Sequence, residues 1–119
     1  RPLNLHKDNI VWLNNTDLID IQAPNAQATF VWGSTADMNG SMLKLPAGYE
    51  GEITTKASEF RAVVIAGALE YTSEEQQAKL NLSAGSYVES SGVFSHEVAN
   101  TSKTDAIIYI RTNSEYKVK

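Results

Sequence analysis

The residues of this chain best placed to do chemistry are Gly85, His96 and Asn100: a glycine, ten intervening residues, a histidine, and an asparagine four positions further on. A histidine titrates near neutrality and offers two ring nitrogens, which suits it to metal ligation or to general acid/base work. A transition-metal site of that kind needs three or four nitrogen or carboxylate donors converging on one point. The chain has two histidines, and His6 lies in an N-terminal segment far from this frame. The absence of cysteine removes thiolate ligands, thiol nucleophiles and disulfides together. No Gly-x-Ser-x-Gly elbow, phosphate-binding glycine loop or dinucleotide fingerprint occurs.

The elements that must position these residues read as many short strands between turn residues. Ile10–Leu13, Ala28–Trp32, Met42–Leu45, Tyr87–Glu89, Phe94–Val98 and Ala106–Arg111 are the clearest, together with a β-branched stretch from Phe60 to Leu69 interrupted by Gly67. The segment Ser73 to Leu80 has a capping-box start, Ser73 with Gln76, and good helix formers. Eight residues do not sustain a helix on propensity, and the preferred reading is a polar connection followed by a strand around Lys79 to Leu82. A weak repeat is also present. Leu45-Pro-Ala-Gly48 and Leu82-Ser-Ala-Gly85 share Leu-x-Ala-Gly, 37 residues apart, and each should place a tight turn before a new strand. The aromatic residues, Trp12, Trp32, Tyr49, Phe60, Tyr71, Tyr87, Phe94 and Tyr109, read as core and pocket wall.

At 119 residues, 42% of them hydrophobic and 20% charged, the chain is one domain able to bury a single core. A net charge of −4 with no basic block lacks the electrostatic footprint of a nucleic-acid binder or a protein held on an anionic membrane. No apolar run approaches the length that crosses a bilayer as a helix. The first residue is Arg1, which fits a processed product or an excised domain. The compartment is left open, cytoplasmic or exported. Four Asn-x-Ser/Thr triplets, at Asn14, Asn39, Asn81 and Asn100, are expected by chance in so Asn- and Ser-rich a chain.

With these residues in place, the stretch from Gly40 to Tyr116 resembles the cupin superfamily, whose second motif is Gly, five residues, Pro-x-Gly, two residues, His, three residues, Asn. Gly85, His96 and Asn100 fall on it, and Ser91-Gly92 stands near the Pro-x-Gly turn. The layout also looks like an uncharacterised bacterial cupin group that often carries two barrels in one chain. The family's first motif is Gly, five residues, His-x-His, three or four residues, Glu, six residues, Gly. Counted from Gly48, its histidines fall on Thr54 and Lys56; counted back from Gly67, its glutamate falls on Phe60, beside Glu59. A register shifted by one, with Ile53 and Thr55 at the histidine positions, would fit Glu59 and still supply no histidine.

The resemblance implies an all-β fold: a single cupin-like double-stranded β-helix barrel, or jelly roll, over residues 40–119, with residues 1–39 as an N-terminal arm or outer strands. Small barrels of this kind cover exposed sheet edges by pairing, so a homodimer is expected, or half of a tandem-barrel protein. Two functions are compatible with the residues. In the first, a metal-poor binding or structural domain without a cofactor holds a small polar ligand, a sugar or carboxylate, through Thr54, Lys56, Phe94 and His96. In the second, an isomerase- or epimerase-like or weakly metal-assisted enzyme uses His96 as acid/base or ligand, helped by Glu59. The second requires His96 and Glu59 to face one cavity.

Overall fold

The computed structural model describes residues 11–13, 19–34, 37–73 and 77–119. They form eleven strands and, among the described residues, no helix. The strands are β1 (Ile19–Ile21), β2 (Gln27–Gly33), β3 (Asn39–Leu45), β4 (Glu50–Thr55), β5 (Phe60–Ala66), β6 (Leu69–Ser73), β7 (Ala78–Leu82), β8 (Tyr87–Ser90), β9 (Phe94–Ala99), β10 (Ala106–Thr112) and β11 (Tyr116–Val118). One sheet has the order β1-β11-β4-β9-β6-β7 and the other β2-β3-β10-β5-β8. The two sheets pack face to face as the jelly roll of the cupin fold.

Alternation explains which side chains go inside. Along β10, Ala106, Ile108, Ile110 and Thr112 are buried, while Ile107, Tyr109 and Arg111 face outward. The matching inward rows are Leu43 and Leu45 on β3, Phe60, Ala62 and Val64 on β5, Ile53 on β4, Val98 on β9 and Val118 on β11. A one-residue slip would turn such a row to solvent, so burial specifies the register.

The β-branched stretch divides at Gly67, whose φ of +78° ends β5 and lets β6 cross to the other sheet. Strand β7 runs slightly earlier than the expected Lys79–Leu82. Of the expected first strand, Ile10 lies outside the described residues and Leu13 makes only an isolated bridge to Ala28. Strands β1, β4 and β11 have weak local signals. They exist because pairing completes them: β4 lies between β9 and β11, and β1 runs parallel to β11 with Ile19 opposite Tyr116. Of the first 39 residues, those in β1 and β2 form the outer strand of one sheet each.

The Leu-x-Ala-Gly repeat is a structural repeat. In each copy a backbone hydrogen bond spans the turn, from Tyr49 N–H to Pro46 O at 3.0 Å and from Ser86 N–H to Ser83 O at 2.9 Å. Gly48 and Gly85 take φ of +83° and +93°, the left-handed third position of a type II turn. Each turn is then docked by two bonds to one residue of the facing strand region. Gly48 N–H donates to Asn100 O and Asn100 N–H to Tyr49 O; Gly85 N–H donates to Val64 O and Val64 N–H to Ser86 O.

Glycine matters differently at Gly51, where a Cβ would collide with the Lys119 carbonyl oxygen and stand 2.8 Å from the Tyr49 hydroxyl. That hydroxyl donates to Lys119 O at 2.8 Å, and Glu52 and Lys119 exchange backbone bonds of 3.2 and 2.9 Å. Gly51→Ala should therefore push β4 and the segment after β11 apart, costing about 2 kcal/mol, read as a lowered denaturant midpoint at unchanged slope.

Candidate functional site

His96 sits on β9 with its side chain turned into the barrel and 1% exposed. Its ring stacks on Phe60, with centroids 5.0 Å apart and planes 20° from parallel, and Phe94 covers it at 4.6 Å. Both ring nitrogens are occupied. Nδ1 is 2.9 Å from the Tyr71 hydroxyl and Nε2 is 3.0 Å from Ser90 Oγ. Tyr71 belongs to the same sheet as His96, whereas Ser90 and Phe60 are cross-strand partners in the other. The imidazole thus ties the two sheets together through its hydrogen bonds. Burial holds its pKa down at about 4, against an ordinary 6.5, because the charged ring would be separated from water. At neutral pH it is an uncharged, fully bonded core residue.

Beneath His96 the barrel holds a cavity of about 20 Å³, walled by Ile53, Phe60, Val64, Leu69, Val98 and other apolar side chains. A water molecule needs about that much probe-occupied volume and two or more polar partners. A sugar does not fit, and the apolar wall gives water little reason to enter. The interior is filled as core.

Metal chemistry is a frequent property of the fold family, and a metal requires three or four donors converging on one point. Among the described residues no three His, Cys, Asp or Glu side chains converge. The position opposite His96 on β4 is Ile53, and Thr55 stands opposite Phe94. Both are buried, so the shifted register is the one that points inward. Thr55 Oγ1 accepts a hydrogen bond from the Ala57 amide at 3.0 Å. The residues present do not fit a metal at this position.

The other sequence-derived candidates lie outside. Thr54 alternates away from the interior and Lys56 follows the end of β4 in the open. The two meet Phe94, which is 38% exposed, in a groove of about 710 Å³ that runs from the rim at Phe94 onto the outer face of the six-stranded sheet and also includes Ser95, Glu115 and Lys117. Glu59 lies in the exposed β4–β5 connection, where its amide donates to Asn113 Oδ1 at 3.2 Å. It lines a different groove, of about 490 Å³, with Ser58, Arg61, Ser90 and Arg111. Phe94, Thr54 and Lys56 are therefore together, His96 lies behind Phe94, and Glu59 and His96 face different cavities.

The turn between β8 and β9 separates the two grooves. Gly92 N–H donates to Ala57 O at 2.7 Å, which holds this turn down on the β4–β5 connection. Tyr71 and Ser90 carry no motif. Their meeting with His96 depends on three strands from two sheets, and the sequence signals only that each alternates inward with its apolar neighbours. Asn39 and Asn100, two of the four glycosylation triplets, are each 1% exposed with bonded amides.

A family model described as "Domain of unknown function (DUF4437)" matches residues 1–119. No curated relative matches the sequence. Among solved structures, an RmlC-like cupin protein from Ralstonia eutropha JMP134 is similar with a TM-score of 0.68 at 16% identity, over 98% of this chain and 71% of that one. The structure of KdgF from Halomonas sp. gives 0.67 at 18% identity, over 97% and 96%. The polyketide cyclase RemF from Streptomyces resistomycificus gives 0.72 at 7% identity, over 97% and 82%. Likeness at these identities establishes the cupin fold, and the activities of the neighbours differ from one another.

Proposed function

Since the chain belongs to the family described as a domain of unknown function (DUF4437) and has the cupin fold, we propose that it is a metal-independent binding domain that takes a small sugar or sugar acid on the outside of the barrel, in the groove at the Phe94 rim. One observation carries this reading: Phe94 covers His96 with one side of its ring and is exposed at that groove. An exposed aromatic ring offers an apolar face to a sugar's C–H groups. Around it stand Thr54, Ser95 and Ser114 for hydroxyl groups, with Lys56 and Lys117 for a carboxylate and Asp20 and Glu115 as acceptors. His96 supports Phe94 from below and does not touch the ligand.

The reading is checked by NMR titration of the whole chain with glucose and with galacturonate, alongside elemental analysis of protein prepared without chelator or nickel. Saturable amide shifts confined to Thr54, Lys56, Ser95 and Lys117 are expected, weakened about tenfold or more in Phe94→Ala. Shifts centred on Ile53, Val64 and Val98 would move the ligand inside the barrel. Stoichiometric metal that is lost in His96→Ala would replace this reading with a metal-dependent one.

A further inference from the structure

On the other side of the β8–β9 turn, Arg61 and Arg111 stand directly opposite one another on β5 and β10. Like charges in this relation disfavour the pairing of their strands. The next residue across the sheet is Glu89, opposite Arg61 on β8, and its carboxylate lies 3.6 Å from Arg61 Nε. The Arg61 guanidinium also lies over the Tyr87 ring, 4.2 Å from its centroid. Two contacts thus orient Arg61: the ion pair with Glu89 and the stacking on Tyr87. Arg111 is exposed and has no ion pair among the described residues. Its guanidinium fork is the shape that binds a planar carboxylate through two parallel hydrogen bonds.

The exposed Ser58 and Ser91 line the same groove, while Ser90 Oγ is turned inward to His96 Nε2. Glu59 and Glu89 line it too, which disfavours a doubly charged anion and leaves room for a singly charged one. We infer that Arg111, with Arg61 beside it, is a receptor for a small 2-hydroxy carboxylate, its carboxylate on the arginine pair and its hydroxyl on the serines. This receptor is separate from the rim groove beside Phe94.

The test is an NMR titration of the full chain with sodium lactate, against sodium chloride at equal ionic strength and against sulfate. Saturable shifts at Ser58, Arg61, Ser91 and Arg111 are expected, with the His96 Nε2 resonance unchanged because Ser90 stays on it. Arg111→Gln should weaken lactate binding at least tenfold with an unchanged melting temperature, and Lys103→Gln, an exposed charge elsewhere, should leave it intact. Shifts that grow linearly with ionic strength, or an unaffected Arg111→Gln, would overturn the receptor. Tighter binding of sulfate than of lactate would overturn the hydroxy-carboxylate assignment. Binding lost in Phe94→Ala but kept in Arg111→Gln would place lactate at the rim groove, and that outcome leaves the sugar-binding proposal standing on its own test.

Discussion

Asn100→Asp is expected to cost at least about 4 kcal/mol at neutral pH, enough to unfold many domains of this size. The Asn100 side chain is buried, with Nδ2 within 3.1, 3.2 and 2.9 Å of the carbonyl oxygens of Leu45, Pro46 and Thr104. Its Oδ1 accepts from the Ser102 amide at 3.1 Å and the Ser102 hydroxyl at 2.7 Å. One side chain therefore joins the β3–β4 turn to the β9–β10 connection. Aspartate keeps the acceptor and points a second oxygen, charged, at three carbonyl oxygens. The carboxyl would be driven to its neutral form, with a native pKa above the ordinary 3.9 or so. A raised native pKa means that the native state holds its proton longer than the unfolded chain. The variant should be most stable in acid and lose stability as pH rises from about 4. Asn100→Ala leaves the same groups without partners and adds no charge, so about 3 kcal/mol is expected, without the pH dependence. Denaturant titrations of both variants between pH 3 and 8 separate the two effects. A mild, pH-independent cost in Asn100→Asp would mean that water reaches these carbonyls.

The second large effect belongs to His96 and runs in the opposite direction with pH. Its native pKa of about 4 lies below the ordinary 6.5, so between those values the unfolded chain binds the proton first. Stability from this group is complete above about pH 6.5. It should fall by about 1.4 kcal/mol per unit below that, a loss on the order of 3 kcal/mol by pH 4. His96→Leu removes the slope. At neutral pH it costs about 2 kcal/mol, because the Tyr71 and Ser90 hydroxyls lose their shared partner. Unfolding free energies of the two proteins across that range are the measurement. A slope that persists in His96→Leu would assign the acid sensitivity to carboxylates.

These two residues show what was legible in the sequence. Their four-residue spacing is even, so on one extended segment both face the same way. The glycine turn before β8 and its copy before β4 were readable because left-handed backbone restricts the residue type. Thr54 and Lys56 were placed from a count that begins at Gly48. A count fixes distance along the chain but not which face a strand presents, and pairing of β4 with β9 and β11 put Ile53 and Thr55 inside instead. Arg61 and Arg111 belong to no motif in the sequence. That they stand opposite each other follows from the β5–β10 register, which includes a shift at Ile107/Ile108 that no local pattern announces. Phe94 lines one groove with Thr54 and Lys56 for a reason the sequence did not contain: it is the first inward residue of β9 and so stands at the rim.

Strand β11 is inserted between β1 and β4, and this imposes an order on biosynthesis. β1 emerges from the ribosome before its partner, which is made about a hundred residues later, roughly 5–20 s at ordinary elongation rates. Throughout that interval the nascent chain carries an unpaired edge flanked by Ile19 and Ile21, the kind of edge that recruits other strands. Closing so long a loop is also slow once synthesis allows it. The step that completes the six-stranded sheet is therefore the one at which a chaperone, or a neighbouring nascent chain on the same message, has the longest opportunity to intervene.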